Sequence, residues 1–513
     1  MRQALLVAPV LVPLAASAAT ALLWSRPAAQ RAVGLAAAAG LLASAVALLA
    51  EVLSGGMVVG QMGSWPAPFG ITFVVDHLSA AMLVITGLMG LAVAVYAMGP
   101  GARERDRAGF QPLFHALLAG VAGAFSTGDL FNLYVWFEVM LIASFGLLVL
   151  DRTREQLDGG VRYVLLNLVG TTFFLLAIGL VYGLTGTLNF ADLARVAPAV
   201  EDAGALAAAG ALLLVSFGAK SAVFPLFNWL PASYHAASMP VAAIFAALLT
   251  KVGVYAILRV FSLVFAHEHA LFGPVVAAVA MATMVVGVLG AAAQGDVRRI
   301  LSFHIISQIG YMLVGLALMT PLALAGSILY IIHHIVVKAN LFLVAGAVRR
   351  AGGSFALARL GGLWAARPLL GLAFLVPALS LVGIPPLSGF WGKLVVVRAG
   401  FEAEAHLLAG VALAVGLLTL YSMVKIWNEA FWKAAPGDTP APAAWGAGER
   451  LATFAPIAAL CLVTLTIGLW TEPFAAFSLA AAESLLDRAA YIEAVLGPQP
   501  PALPAPPVGG ATP

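Results

Sequence analysis

Five of the six lysines in this 513-residue chain lie inside long apolar runs. They are Lys220, Lys251, Lys338, Lys393 and Lys425, whereas the arginines lie in loops or near the ends of these runs. A desolvated lysine can release its proton, but an arginine stays charged. A row of buried lysines can therefore hold protons and pass them on, which a row of arginines cannot do.

One carboxylate stands in the middle of an apolar run. Glu138 lies in FNLYVWFEVMLIASFGLL (131–148), and Lys220 lies in FGAKSAVFPLFNWLPASY (217–234), just before Pro225. A proline at this place breaks a helix, frees backbone carbonyls and admits water. We expect a Glu138–Lys220 pair that acts as a charge switch, because separating the two makes the lysine's proton easier to release. A static ion pair that joins two helices is the alternative.

Histidines accompany the lysines further along the chain. His334 and Lys338 are four residues apart and share one helix face, while His333 is rotated by about 100° and ranks below His334. His304 in SFHIISQIGYM is either a bridging group or a satisfied core histidine. Adjacent histidines also suggest a metal site, but no second pair of ligands stands nearby in sequence, so we expect none.

The remaining candidates extend the row toward one membrane face. Lys251 in LLTKVGVYAILR is the next relay residue, and Lys393 follows Pro385 and Pro386 in GIPPLSGFWGK (383–393), where a second helix break is expected. The secondary candidates are His304, His333, Lys425 and Asp76. For Lys425 we favour snorkelling of the amine to the membrane interface.

The composition determines where these charges must lie. The chain is 62% hydrophobic and 10% charged, with a mean hydropathy of +1.02. Soluble proteins carry about 25% charged residues, so a cytosolic enzyme, a disulfide-rich secreted protein and a nucleic-acid-binding protein are excluded. If they faced lipid, five of these groups would together cost roughly 12–18 kcal/mol. The five are Glu138, Lys220, Lys251, Lys338 and Lys393. They must therefore face a protein interior or a hydrated cavity of an all-α polytopic membrane protein.

Apolar runs of about 20 residues predict fourteen membrane spans and no strand. The spans cover approximately 3–24, 32–53, 71–98, 110–128, 130–150, 161–185, 205–228, 239–265, 270–293, 299–319, 322–348, 369–400, 405–433 and 451–471. Spans seven and twelve contain the proline breaks, five helices apart. This spacing predicts two structural repeats, spans 4–8 and 9–13.

Loop charges and motifs complete this picture. Arginines concentrate in the odd-numbered loops, so the positive-inside rule places those loops in the cytoplasm and both termini outside. We expect a retained first helix rather than a signal peptide, a disordered tail at 497–513, and a buried role for the single Cys461. The sequence contains no phosphate-binding loop or dinucleotide fingerprint. We therefore expect no cofactor. We also expect that the activity of the chain is driven by an ion gradient or by a partner protein.

These segments, over roughly 70–435, resemble the antiporter-like subunit family. That family comprises the large proton-channel subunits of respiratory complex I, their relatives in membrane-bound hydrogenases, and two large subunits of Mrp-type Na+/H+ antiporters. The motifs occur in the family's order: the Glu138-bearing fifth span, F-G-A-K-x-x-x-F-P, S-Q-I-G-Y, H-x-x-x-K and G-I-P-P-L-S-G-F-W-G-K. The resemblance implies a buried polar axis that carries protons, formed by Glu138, Lys220, Lys251, His334, Lys338 and Lys393.

The resemblance also implies how the chain is organised. Spans 4–8 and 9–13 would be inverted repeats with broken helices 7 and 12. The units would be three N-terminal helices (1–109), a first repeat (110–265), a second repeat (266–435), a last helix with an amphipathic end (436–496) and the tail.

Within the family, the segment 131–148 is most similar to D-type Mrp subunits. This similarity implies a proton-translocating subunit of a bacterial cell-membrane antiporter, coupled to Na+ efflux. Its partners would be a larger homologous A-type chain and several small hydrophobic subunits, with no nucleic acid. One alternative is a proton-pumping subunit of a complex I-like NADH:quinone oxidoreductase or a membrane-bound hydrogenase. Another is a structural scaffold with fixed ion pairs.

Overall fold

The computed structural model describes residues 2–436 and 445–498, and its architecture is helical. The predicted disordered tail lies outside the described residues from position 499 onward. The N-terminal elements are α1 (Arg2–Leu22), α2 (Pro27–Gly55), β1 (Val58–Gln61), β2 (Thr72–Val75), α3 (His77–Ala97) and α4 (Ala102–Arg107). Helix α1 packs against α2.

The two short strands correct the expectation that the chain has none. They pair antiparallel, with Val58 opposite Val75, and β2 is completely buried. The sequence of β2, TFVV, is rich in the β-branched and aromatic residues that strands favour. Its residues belong to the apolar run 71–98, whose helical part begins only at His77. Asp76 ends the extended segment and caps α3, where its Oδ1 accepts a hydrogen bond from the Ser79 amide at 2.9 Å.

The next group of helices contains the first predicted break. It comprises α5 (Phe110–Ser126), α6 (Leu130–Leu148), α7 (Arg154–Thr185), α8 (Phe190–Val196), α9 (Ala203–Ser221), α10 (Trp229–Ser233), α11 (Met239–Ile244), a π-helical turn (Phe245–Leu249) and α12 (Thr250–Leu263). Helix α9 ends four residues before Pro225, and Ala222 adopts a left-handed backbone conformation with φ of 58°. The chain resumes a helical path only at Trp229.

The second break lies between two half-length helices. This group comprises α13 (His269–Ala293), α14 (Val297–Leu318), α15 (Pro321–Gly352), α16 (Leu363–Ala366), α17 (Pro368–Val382), α18 (Ser388–Glu402), α19 (His406–Ile426) and a π-helical turn (Trp427–Trp432). Pro385 and Pro386 stand in the gap, where they have no amide hydrogen to continue the helical ladder. The C-terminal helices are α20 (Ala447–Leu469), α21 (Glu472–Leu486) and α22 (Arg488–Leu496).

These helices account for the fourteen predicted spans. Twelve helical segments of the described chain are long and apolar enough to cross a membrane, and α5 and α17 are shorter apolar helices at predicted positions. The prediction of an all-α polytopic membrane protein is confirmed. The domain boundaries and the inverted relation of the two repeats remain predictions.

Burial separates central helices from peripheral ones. The most apolar windows of α15 and of the segment from Met239 to Leu263 are completely buried, whereas a third or less of the corresponding windows of α1, α2 and α7 is buried. Helix α15 contacts α3, α11, α14, α17, α18, α20 and α21. Polar side chains on α12, α14 and α15 are therefore shielded from lipid by the surrounding helices.

Candidate functional site

The first break places Lys220 next to the carboxylate-bearing helix α6. Lys220 Nζ donates to Thr171 Oγ1 at 2.8 Å and to the Asn167 carbonyl at 3.1 Å. Thr171 Oγ1 in turn donates to Glu138 Oε1 at 2.8 Å. The Glu138–Lys220 contact, expected to be direct, is therefore bridged by a threonine hydroxyl from α7. Lys220 is buried, whereas Glu138 is partly exposed at the surface of the chain.

Lys251 lies immediately after a π-helical turn. Its Nζ donates to the Ala246 carbonyl, inside that turn, at 2.5 Å, and the residue is completely buried. A π-helical turn disturbs the regular ladder and is frequent at functional sites. The distortion in the segment Phe245–Leu249 thus brings a carbonyl to the lysine amine in the middle of the chain's most shielded region.

His334 and Lys338 lie at the centre of α15, and both are completely buried. Lys338 Nζ donates to the Leu301 carbonyl of α14 at 3.1 Å. Within the described residues, neither ring nitrogen of His334 or of His304 has a hydrogen-bond partner. His334 is close enough to Lys251 and Lys338 to interact electrostatically with both. These side chains therefore form one cluster between the two breaks.

At the second break, His333 makes the polar contact that His334 lacks. Its Nδ1 lies 2.8 Å from Ser388 Oγ, which lies 2.8 Å from Ser380 Oγ across the gap between α17 and α18. Gly389 permits this approach, because a Cβ there would overlap the Ser380 carbonyl oxygen and would lie 2.7 Å from His333 Nε2. His333, ranked second from helix periodicity, is thus the histidine linked to the broken helix.

Lys393 closes the second break. Its Nζ donates to the carbonyls of Leu381 and Val382, the last residues of α17, at 3.0 and 2.9 Å. Basic groups are favourable at a helix C-terminus, where carbonyls have no helical partner. The amine also lies 4.9 Å from the centre of the Tyr311 ring.

Two tyrosines and a glutamine span the distance from Lys393 to the histidines. The rings of Tyr311 and Tyr330 are 5.2 Å apart, and the Tyr330 ring is 5.3 Å from His333. The Tyr330 hydroxyl donates to Gln308 Oε1. These residues, Thr171 and the two serines were not predicted from the sequence. Gln308, Tyr311 and Ser388 nevertheless lie inside the quoted motifs S-Q-I-G-Y and G-I-P-P-L-S-G-F-W-G-K, which was the available signal.

The two remaining secondary candidates have other contacts. Lys425 Nζ donates to the carbonyls of Ala292 and Gln294 at 2.9 and 2.6 Å, so it binds the C-terminal end of α13. Asp76 Oδ2 lies 2.6 Å from a terminal nitrogen of Arg259, and both side chains are almost completely buried. Arg259 lies within α12, and its ion pair with Asp76 was not predicted from the sequence.

Ser79 and two tyrosines surround the ion pair and complete what we call the Asp76–Arg259 cluster. Ser79 Oγ lies 2.8 Å from the Tyr255 hydroxyl, and the guanidinium lies 5.4 and 5.7 Å from the centres of the Tyr255 and Tyr491 rings. These contacts hold the two charges in one geometry.

Asp129 lies close to this cluster, between α5 and α6. It caps α6 by accepting from the Asn132 amide at 2.7 Å. Burial raises the pKa of this carboxyl group to about 6, although the amides of Asn132 and Phe131 act in the opposite direction.

In residues 2–436 and 445–498, no group of three or more histidine, cysteine, aspartate or glutamate side chains is placed to hold a metal ion. The four axis lysines Lys220, Lys251, Lys338 and Lys393 also have no carboxylate oxygen within 4.0 Å in the described part of the chain. Their amines are held by carbonyl and hydroxyl oxygens, which are neutral.

Comparison with known proteins places the chain in a family. Residues 127–420 match the family described as NADH:quinone oxidoreductase/Mrp antiporter, transmembrane. The D-type chain of the Na+/H+ antiporter of Alkalihalophilus pseudofirmus is 43% identical over 492 residues, which cover 96% of this chain and 99% of that protein.

Solved structures agree with this placement. A chain of the Mrp complex from a Dietzia species superposes with a TM-score of 0.89 at 36% identity, covering 97% of this chain and 99% of that one. A chain of respiratory complex I from Thermus thermophilus superposes with a TM-score of 0.73 at 26% identity, covering 90% of this chain and 97% of that one. The chain belongs to the NADH:quinone oxidoreductase/Mrp antiporter family and is similar within it to the D-type subunits of Na+/H+ antiporters.

Proposed function

We propose that this chain is the proton-translocating subunit of a multisubunit Na+/H+ antiporter, in which proton movement is coupled to cation efflux. The observation that carries the proposal is the set of buried lysines whose amines contact neutral oxygens alone in the described chain. A lysine held in this way can lose its proton without leaving an unpaired buried carboxylate behind. The chain is then a transporter subunit rather than an enzyme, and H+ and Na+ are its cargo.

The proposed path runs between the two helix breaks. Protons occupy Lys220, Lys251, the His334–Lys338 pair and Lys393 in turn. The Glu138–Thr171–Lys220 bridge controls entry, because Thr171 accepts from the lysine while it donates to the carboxylate. Loss of the carboxylate contact frees the threonine hydroxyl to turn, which weakens the hold on the lysine's proton.

Two sets of polar contacts lie along the last proton transfer, which leads from the histidines to Lys393. The hydrogen-bonded series His333–Ser388–Ser380 leads from α15 into the break, and Lys393 is bound to the end of α17 at that break. Tyr330 and Gln308 line the same region. We assign proton transfer here to His333 as well as His334, since His333 is the histidine with a hydrogen bond to the broken helix.

The exposure of Glu138 supports assembly with other subunits. A carboxylate that faces lipid near the middle of a membrane is costly, so a neighbouring chain is expected to cover it. The related Dietzia structure is that of a complex, in keeping with multisubunit assembly. We propose a larger homologous subunit and several small hydrophobic subunits as partners in a bacterial plasma membrane, with both termini of this chain outside, as the loop arginines indicate.

The complex I-like alternative is less well supported. Similarity to the D-type antiporter chain extends over nearly the whole length at 43% identity, against 26% for the complex I chain. Because the two folds are similar, a proton path of this kind is compatible both with coupling to a cation gradient and with coupling to a redox reaction.

Purification of the native assembly from its own membranes, followed by mass spectrometry, tests the proposal. We expect a longer homologous subunit and small hydrophobic partners without redox proteins, together with Na+-dependent proton movement after reconstitution. Co-purifying iron–sulfur or flavin subunits would instead make the chain part of a redox-driven pump. Intact antiport in a Glu138→Gln or Lys220→Ala variant of the assembled complex would contradict the proposed path.

A further inference from the structure

A cavity of about 510 Å³ lies away from the lysine axis, where four predicted cytoplasmic loops meet. It is lined by the end of α3 and by α4, by the start of α11 and the residue before it, by the end of α15, and by residues before and within α20. Three arginines, Arg105, Arg349 and Arg350, contribute to its wall, and none of its lining residues within 2–436 and 445–498 is a carboxylate. Trp445 and Tyr96 complete the wall on the side of the helices.

The polar groups of this cavity are only partly used within the described chain. Arg105 donates to the carbonyls of Ala97 and Pro100 at 2.7 Å each, but its Nε is buried without a hydrogen-bond partner. The hydroxyl oxygen of Ser238 is also buried without one. Arg350 is 2.6 Å from Glu449, which leaves Arg105 and Arg349 as wall arginines without a carboxylate within 4.0 Å in the described residues.

We propose that this cavity binds a phosphate group, supplied either by the headgroup of an anionic phospholipid or by a free phosphate anion. Guanidinium groups bind phosphate oxygens through charge-assisted hydrogen bonds, and Arg105 Nε and the Ser238 hydroxyl are donors that such an anion would satisfy. Basic pockets between helices on the cytoplasmic side of a membrane are suited to anionic headgroups. Aromatic side chains such as Trp445 and Tyr96 are favoured at the same level of the membrane.

Helix capping is the competing role of these arginines. Arg349 donates to the Gly353 carbonyl at the end of α15, and Arg105 caps the end of α3. Capping alone explains the arginines, but it leaves the Arg105 Nε and Ser238 hydroxyl donors unsatisfied beside an open volume.

The test uses the purified, delipidated complex and follows its thermal stability as ligand is added. The probes are short-chain phosphatidylglycerol, short-chain phosphatidylcholine and inorganic phosphate. Arg349→Gln is the test variant, because Arg349 is exposed enough to be replaced without opening the core. Arg359→Gln is the matched control, since Arg359 is an exposed arginine in the same predicted loop but outside the cavity.

We expect phosphatidylglycerol to stabilise the wild-type complex, with an apparent affinity reduced roughly tenfold by Arg349→Gln and unchanged by Arg359→Gln. A response to phosphatidylglycerol alone identifies a lipid headgroup, whereas the same arginine dependence with inorganic phosphate identifies a free anion. Equal responses of both variants to every probe would overturn the proposal and leave capping as the arginines' role. Occupation of the cavity by a neighbouring chain of the complex, detected by cross-linking from position 445, would also overturn it.

Discussion

Two buried charged regions of this chain are built in opposite ways. In the Asp76–Arg259 cluster, an arginine and a carboxylate lie 2.6 Å apart, and serine and tyrosine hydroxyls surround them. Along the axis from α9 to α18, buried lysines donate to carbonyls and to one threonine hydroxyl, with no carboxylate in direct contact in the described chain.

This difference separates fixed charge from mobile charge. A buried ion pair compensates both of its charges, and removing one partner leaves the other charge uncompensated. A lysine held by neutral oxygens becomes neutral itself when its proton leaves, so the interior contains no orphaned charge afterwards. This contrast supports the proposed role of the lysine axis in proton transport and favours a structural role for the Asp76–Arg259 cluster.

The largest expected effect is on transport and comes from Lys251→Met. Removal of this amine interrupts the path between the two breaks, so proton-coupled antiport in membrane vesicles should fall by roughly a hundredfold or more. The amount of assembled complex should stay near normal, because no carboxylate loses a direct partner. Lys433→Met, which affects a lysine paired with Glu429 at 2.5 Å outside the axis, serves as the control and should retain antiport.

The next effect is on stability and comes from Arg259→Met. Asp76 would then be buried without its counter-charge, which costs roughly 3–5 kcal/mol. We expect a lower thermal midpoint and less assembled complex. Combining Arg259→Met with Asp76→Asn should recover most of the loss, because asparagine preserves the cap on α3. A double variant as unstable as the single one would show that the cluster is not an isolated ion pair.

A smaller effect on transport is expected from Thr171→Val, which has nearly the shape of threonine but no hydroxyl. Loss of the bridge between Glu138 and Lys220 should slow antiport about tenfold, the equivalent of one hydrogen bond to a charged group. Thr171→Ser should restore the rate. The neighbouring Thr172→Val is a matched control, since the Thr172 hydroxyl bonds only its own helix on the exposed face.

The smallest effect concerns pH and comes from Asp129→Asn. The folded carboxyl has a pKa of about 6, above the ordinary 3.8, so the folded state binds more protons than the unfolded state between these values. Stability therefore falls as pH rises through this window and levels off above it. The variant lacks this loss. The free energy of unfolding of the variant minus that of the wild type should therefore rise by about 1 kcal/mol from pH 5 to pH 8. If the difference in stability between variant and wild type were the same at pH 5 and pH 8, the Asp129 carboxyl group would not be buried as described.

Much of the fold was predictable because the bilayer constrains it. Apolar runs long enough to cross the membrane identified the spans, and prolines identified both breaks. The strand pair was missed because β2 is as apolar as the helix that follows it, and only its TFVV composition differs. Hydropathy thus predicts the membrane-spanning helices well. A short buried strand is not distinguished by hydropathy from the apolar helix that follows it.

The burial of the axis lysines was predictable from the sequence, but their contacts were not. Buried lysines stand out in an apolar sequence because their cost demands a reason. Thr171 does not stand out, since a threonine in a membrane helix is inexpensive and carries no spacing signal. Asp76 and Arg259 are far apart in sequence, so no local pattern joins them. The ranking of His334 above His333 relied on the position of Lys338, whereas Ser388, on another helix, gives His333 its hydrogen bond.

Measuring proton transport by reconstituted complexes that carry Lys338→Arg decides whether the buried lysines carry the proton. Arginine preserves the positive charge at the centre of α15 but cannot release its proton. We predict that this variant assembles yet loses Na+-coupled proton movement, while Arg259→Lys, which preserves the charge of the ion pair, retains it. Wild-type proton movement in an assembled Lys338→Arg complex would contradict the claim that the buried lysines carry the proton.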